Sequence, residues 1–128
     1  MSVVDGVLDL LRADANLSVY DGAPPANPAY PMVVVYSNGG TRSVSDVSGR
    51  SRQSDVRIQC TVHAVSTLSA RIVADRVLAA LVDRVPTAPG WRCGPVRHES
   101  SPPAYADDSI AQPVVVQPLL FTVSAVPA

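Results

Sequence analysis

Asp55-Val56-Arg57-Ile58-Gln59-Cys60-Thr61-Val62-His63-Ala64-Val65 is the stretch that decides the fold class. Val56, Ile58, Cys60, Val62 and Ala64 fall on one parity, and Arg57, Gln59, Thr61 and His63 fall on the other. A period of two is that of a strand with one buried face and one wet face. Directly after it the period changes to that of a helix. Ser66 or Thr67 is placed to cap a helix that runs to Val85 and is stopped by Pro86. Its main stripe is Ala70, Val73, Ala74, Val77, Leu81 and Val85; a second apolar line, Leu68, Ile72, Ala79 and Val82, lies nearly opposite. A helix with two apolar sides needs two neighbours. A sheet and another helix would serve within the fold. Another subunit would serve between copies, and on that reading Leu68, Ile72 and Val82 are interface candidates.

Upstream, residues 2–15 read as an amphipathic helix capped by Ser2, with Val4, Val7, Leu8, Leu11 and Ala15 on one face and Asp5, Asp9 and Arg12 opposite. Leu17–Tyr20 is a short extended piece before the proline-rich stretch 23–31. Met32-Val33-Val34-Val35-Tyr36 is an unbroken apolar run, which predicts a strand covered on both faces, within the fold or by a partner. Asn38-Gly39 is a turn signal that predicts the start of a short hairpin. Downstream, Trp91–His98 and Pro113–Val126 read as two further strands joined by the linker Glu99–Gln112, with Pro118 breaking the ladder or sitting on an edge. The order helix, strands, helix, strands predicts an α+β fold in one domain over residues 1–128: a mostly antiparallel β-sheet with two α-helices packed on one face.

Composition supports this reading. A chain of 128 residues with 47% hydrophobic and 16% charged residues has the means to bury a core. The net charge of −1 gives no long-range attraction to nucleic acid or acidic membranes. No run approaches the about 18 apolar residues that a membrane span needs, and the first residues, with Asp5 and Asp9, do not resemble a secretory leader. The expectation is a protein made and used inside a cell, with reduced thiols.

Constellations that would carry chemistry are sparse. The sequence has no G-x-S-x-G elbow, phosphate-binding glycine loop, dinucleotide fingerprint or H-E-x-x-H pair. His63 and His98 are the only histidines available to activate a serine, and a Ser–His–Asp site is outweighed by coincidence. Cys60-x-x-His63 has the look of a metal pair, but in a strand residues three apart point to opposite faces. Cys60 reads as a small buried hydrophobe, and a disulfide with Cys93 stays open. Asp107-Asp108 lacks the alternating ligands of a calcium loop and reads as solvated linker. The expectation is therefore no enzyme, no cofactor and no metal.

Ser37–Ser54 is the polar feature that stands out. It holds three glycines, six serines and Arg42, Arg50 and Arg52, with almost no core-forming side chains. Loops this long in small domains tend to be functional. One reading is a flexible arm whose arginines meet carboxylates or phosphates of a partner; the other is a solvated loop with scattered charge.

Three segments, taken in order, carry a resemblance: the opening helix leading to Val19-Tyr20-Asp21-Gly22-Ala23-Pro24-Pro25 and Pro31-Met32-Val33-Val34-Val35; the strand 55–64 running into the Ser69–Leu81 helix; and Leu119-Leu120-Phe121-Thr122-Val123. Together they resemble the tail terminator (tail completion, gpU-like) family of long-tailed bacteriophages. The resemblance implies a hexameric ring of identical subunits on the head-proximal end of the tail tube, which stops tube polymerisation and offers a surface for head joining. It implies contacts with the tail tube protein and a head–tail connector or stopper, with DNA only as cargo passing through the channel and no membrane partner. It also implies a place in the virion after assembly in the host cytoplasm. Members carry a long loop between early strands, which makes Arg42, Arg50 and Arg52 candidates for contacts at the tube, a neighbouring subunit or the channel. No catalytic residue is carried over. A connector or stopper ring, the tube subunit itself, or a small enzyme or ligand-binding domain are the alternatives.

Overall fold

A computed structural model describes residues 3–37, 41–43, 53–107 and 113–128, with 41–43, 53 and 54 described by their backbone. The predicted central strand is β4, Gln53–Ala64, and it pairs antiparallel along its length with β8, Val114–Pro127. These two long strands are the spine of an eight-stranded sheet. On one side of β4 lie β2, Met32–Ser37, and β3, Thr41–Ser43; β1, Val19–Asp21, joins β2 in parallel. On the far side of β8 three short strands sit end to end: β5 (Trp91–Cys93), β6 (Arg97–Ser100) and β7 (Tyr105–Asp107).

The alternation of β4 works as the sequence predicts. Val56, Ile58, Cys60, Val62 and Ala64 are buried, and β8 answers with Leu119, Phe121, Val123 and Ala125 on the same face. Helix α1, Val3–Arg12, and helix α2, Thr67–Leu81, both pack on this inner face. The Ser66 hydroxyl accepts from the Ser69 backbone N–H at 3.1 Å and caps α2. Arg76 of α2 lies 3.3 Å from Asp14, just past the end of α1. The Asn16 backbone N–H, and then Arg76, hold the Asp14 carboxyl below its ordinary range.

Both helices are shorter than their sequence pattern. The first spans Val3–Arg12, Ala15 is exposed beyond it, and the predicted cap Ser2 lies outside the described residues. Its buried line is Val3, Gly6, Val7, Leu8 and Leu11. Gly6 is there because the Pro86–Thr87 segment crosses the helix: a Cβ at this position would lie 2.7 Å from the Thr87 carbonyl oxygen. Helix α2 stops at Leu81, four residues before the predicted end. Val82 turns extended and Asp83 takes φ +64°, and the chain is drawn aside to Val96, whose carbonyl accepts from Asp83 N–H and whose N–H donates to Arg84. Pro86 is therefore not the stop.

Asn38-Gly39, where the sequence predicts the start of a hairpin, lies outside the described residues; on either side of it β2 and β3 pair with β4 in the same direction. Two further predictions change in extent. The predicted strand 91–98 is two strands separated at Gly94-Pro95, and the predicted linker 99–112 contributes the end of β6 and all of β7. Pro118 does not break β8. It falls opposite the gap between β6 and β7, where no neighbouring strand calls for the N–H it lacks.

The outer face of the sheet is treated differently at its two ends. At the end nearer the start of α2, Met32, Val34, Thr61, Val114 and Val116 are buried, although they point away from the helices. Segment 23–31 folds over them: Pro24, Pro25, Pro28 and Tyr30 share a hollow with Met32, His63 and Val114. The two-sided cover expected for β2 thus comes from within the fold. At the other end no described segment folds over the outer face.

Candidate assembly surfaces

The residues able to do chemistry are scattered. Cys60 is buried in the core on the inner face, where burial pushes its thiol up to about 12. His63 points to the outer face; burial lowers its pKa, and the nearby Asp107 carboxylate partly offsets this. The two do not share a site. Cys60 pairs with Leu119 and Cys93 with Ala125, a separation of roughly 20 Å along β8 against a Cα span of about 7 Å for a disulfide. Both thiols are free, which closes the disulfide that the sequence leaves open. His98 Nε2 lies 2.7 Å from the Ser101 hydroxyl and its ring packs 5.5 Å from Phe121, on an exposed edge. Asp107 sits in β7 rather than in a linker, and Asp108 lies outside the described residues. Among the described residues, no three His, Cys, Asp or Glu side chains come together to hold a metal ion.

Of the interface candidates, Leu68 and Ile72 are 64% and 51% exposed, and Val65, just before the helix, is 54% exposed. At 100° per residue Leu68, Ile72 and Ala79 stand roughly opposite the buried stripe, so they form a ridge directed away from the sheet. Arg71 and Asp75 flank it, both exposed. Val82 leaves this line: it is partly buried against the core and bridges to Val96. Arg42 lies in β3, and Arg50 and Arg52 lie outside the described residues.

A second surface is not anticipated from the sequence. On the half of the outer sheet face that no described segment covers, Tyr36, Arg57, Gln59, Glu99 and Leu120 line an open groove of about 380 Å³. Tyr36 is 40% exposed. The Arg57 guanidinium lies 3.8 Å from the Glu99 carboxylate, which also accepts from the Thr122 hydroxyl. Ser124 donates to Asp55 at 2.9 Å lower on the same face. The floor is apolar and the rim carries both signs of charge. The ridge and the groove lie on opposite sides of the domain, with the β4–β8 spine between them.

The architecture is shared with known proteins. A chain from the virion of a native gene transfer agent particle superposes with a TM-score of 0.72 at 21% identity, covering 94% of this chain and 91% of that one. A second solved chain superposes with a TM-score of 0.66 at 20% identity, over 98% of this chain and 96% of the other. No curated protein sequence matches. Identities this low establish the fold alone. The family model described as tail completion protein gp17 goes further, because it matches residues 5–116, most of the chain from α1 through α2 to the start of β8. On that match, the chain belongs to the tail completion protein gp17 family.

Proposed function

We propose that this tail completion protein acts as a tail terminator: identical copies close into a hexameric ring on the head-proximal end of the tail tube, stop its polymerisation and present the surface to which the head joins. Its partners on this reading are further copies of itself, the tail tube protein below and a connector or stopper protein above. DNA passes through the ring as cargo. The protein works in the virion, after assembly in the host cytoplasm.

The observation that carries the reading is the pair of unlike surfaces on opposite sides of one rigid domain. A ring of identical subunits joins head to tail, so each subunit must offer two different patches. The scattered His and Cys side chains are explained by packing and leave the surfaces as the features in need of a role. Family membership and a fold shared with a gene transfer agent virion chain support the same reading. Arg42, in β3, and Arg50 and Arg52, between β3 and β4 in sequence, are assigned to contacts with the tube or with a neighbour.

Light scattering on the purified protein, followed by negative-stain imaging, tests this. A closed species of about six subunits with a central hole is the expected result. Long tubes would instead identify a tube subunit. A monomer that stays monomeric at all concentrations and on added tails would overturn the terminator reading.

A further inference from the structure

We infer that the α2 ridge of one copy seats in the groove on the outer sheet face of the next copy, with Ile72 over Leu120. The inference rests on the ring reading and names its contact faces.

Three observations lead to it. The ridge Leu68–Ile72 stands roughly opposite the helix face that packs on the sheet, and the groove opens on the sheet's other side. They therefore satisfy the head-to-tail condition without a second use of either patch. Next, their sizes are compatible. The ridge presents two large apolar side chains, and the open groove of about 380 Å³ is lined by Leu120, Tyr36 and Gln59. Lastly, the charges match. Arg71 and Asp75 stand one turn apart beside Ile72, and the groove carries Glu99 and Arg57. With the helix laid so that Arg71 meets Glu99, Asp75 meets Arg57. Because the Arg57–Glu99 pair is solvent-exposed within one copy, exchanging it for intersubunit pairs sacrifices little. Opposite placement alone would give a straight stack, and closure needs a turn of about 60° per contact for six copies. On the ring reading the seat of the ridge in the groove has to supply that turn.

The geometry is tested by disulfide trapping in a Cys93→Ser background, where the remaining native thiol, Cys60, is buried. Ile72→Cys and Leu120→Cys variants are oxidised separately and mixed. The expected result is a covalent dimer from the mixture and none from either variant alone; a dimer from Ile72→Cys alone would mean that ridges meet ridges and would overturn the inference. Leu68→Cys with Gln59→Cys is a second pair at positions outside the core, in case either first variant folds poorly. With both cysteines in one chain, covalent species should build up to a closed ring and stop. A ring seen by light scattering without any trapped bond in either pair overturns the inference and leaves the ring reading standing. A covalent ladder that lengthens without closing supports the contact and overturns the ring. Neither ring nor bond overturns both.

Discussion

Replacing Leu68 and Ile72 together by serine separates assembly from folding, and the structure sets the size of the effect. Full burial of a leucine or isoleucine contributes about 1.5–3 kcal/mol. Leu68 is 64% exposed and Ile72 51%, so folding has used less than half of that and an intersubunit contact has the rest to gain. For the two side chains this amounts to about 2–3 kcal/mol per contact, or roughly 25- to 150-fold in the association constant. In the isolated subunit the same changes give up the smaller share that folding has buried, about 1–2.5 kcal/mol for the two by the same scaling, together with a few tenths of a kcal/mol each from helix propensity. The monomer should therefore stay folded, with its melting temperature lowered by several degrees. Light scattering over a concentration series, paired with thermal unfolding of the monomer, reads both quantities on one sample. Leu81→Ala is the contrasting control, because Leu81 is fully buried on the opposite helix face; it should cost about 2–5 kcal/mol of folding stability. If the double serine variant assembled at wild-type concentrations, the ridge would have no part in assembly. If it unfolded as early as Leu81→Ala, the ridge would be part of the core.

Gly6→Ala sets two effects against each other: alanine favours a helix by about 1 kcal/mol, but its Cβ would meet the Thr87 carbonyl oxygen at 2.7 Å, and overpacking costs about 1–3 kcal/mol, so thermal unfolding should show net destabilisation, and a stabilised variant would refute the close approach. His63 has a depressed pKa, so its unfolded form binds the proton more readily; stability should fall as pH drops below the ordinary histidine value of about 6.5, and His63→Gln should flatten that part of a urea-unfolding profile without affecting the region above it. Native protein should present Cys93 alone to a thiol reagent, and slowly, because burial raises both thiols and Cys60 is enclosed; fast labelling of Cys60 before unfolding would contradict the packing of β4. If Arg42, Arg50 and Arg52 serve partner contacts as proposed, the combined Arg42→Ser, Arg50→Ser and Arg52→Ser variant should keep the wild-type melting temperature, since charges reserved for a partner contribute little to the isolated subunit, and should lose completion of tails in a particle-assembly assay.

How far the sequence could be read follows from where each signal resides. β4 is legible because its inner and outer faces differ at every step from Val56 to Ala64, and α2 because Ala70, Val73, Ala74, Val77 and Leu81 keep one helical stripe. β8 is legible after Pro118, where Leu119, Phe121, Val123 and Ala125 alternate; before it the buried residues are Val114 and Val116 on the other face, under the proline-rich segment. The short strands are another matter. All four residues of β6 are exposed, so no apolar pattern marks it, and its extended shape is imposed by pairing with β8. The end of α2 is set by Val96 pulling the chain at Val82–Arg84, a contact between residues more than ten positions apart. The groove is the extreme case. Tyr36, Arg57, Glu99 and Leu120 come from four strands that are distant in sequence and adjacent only in the sheet. Of the candidate interface residues, Leu68 and Ile72 stay on the surface as their helical line predicts, whereas Val82 does not, because that line assumes a helix that has already ended.

The asymmetry of the outer sheet face narrows what this domain is built to do. Where apolar strand residues point outward near Met32 and Val116, the chain covers them with its own proline-rich segment, whose fixed backbone lowers the entropy lost on ordering. Sixteen to twenty ångströms along the same strands (about five residues), the face has no described segment over it and carries Arg57, Gln59, Thr122 and Glu99 around Leu120. A ligand site would gather polar groups into a closed hollow, and this groove is shallow with its charges at the rim. Across the domain the helix ridge is equally uncovered. What separates the two is the longest and most completely paired part of the molecule, β4 against β8 over eleven residue pairs from Ser54↔Ala125 to Ala64↔Val115. In the proposed ring, a spacer of this kind between two unlike, half-wet surfaces would fix the angle between successive copies, so the curvature of the assembly would be written in the core. Core substitutions that leave folding intact but shift α2 against β4 should then change the number of subunits in the closed species, even though they touch neither surface.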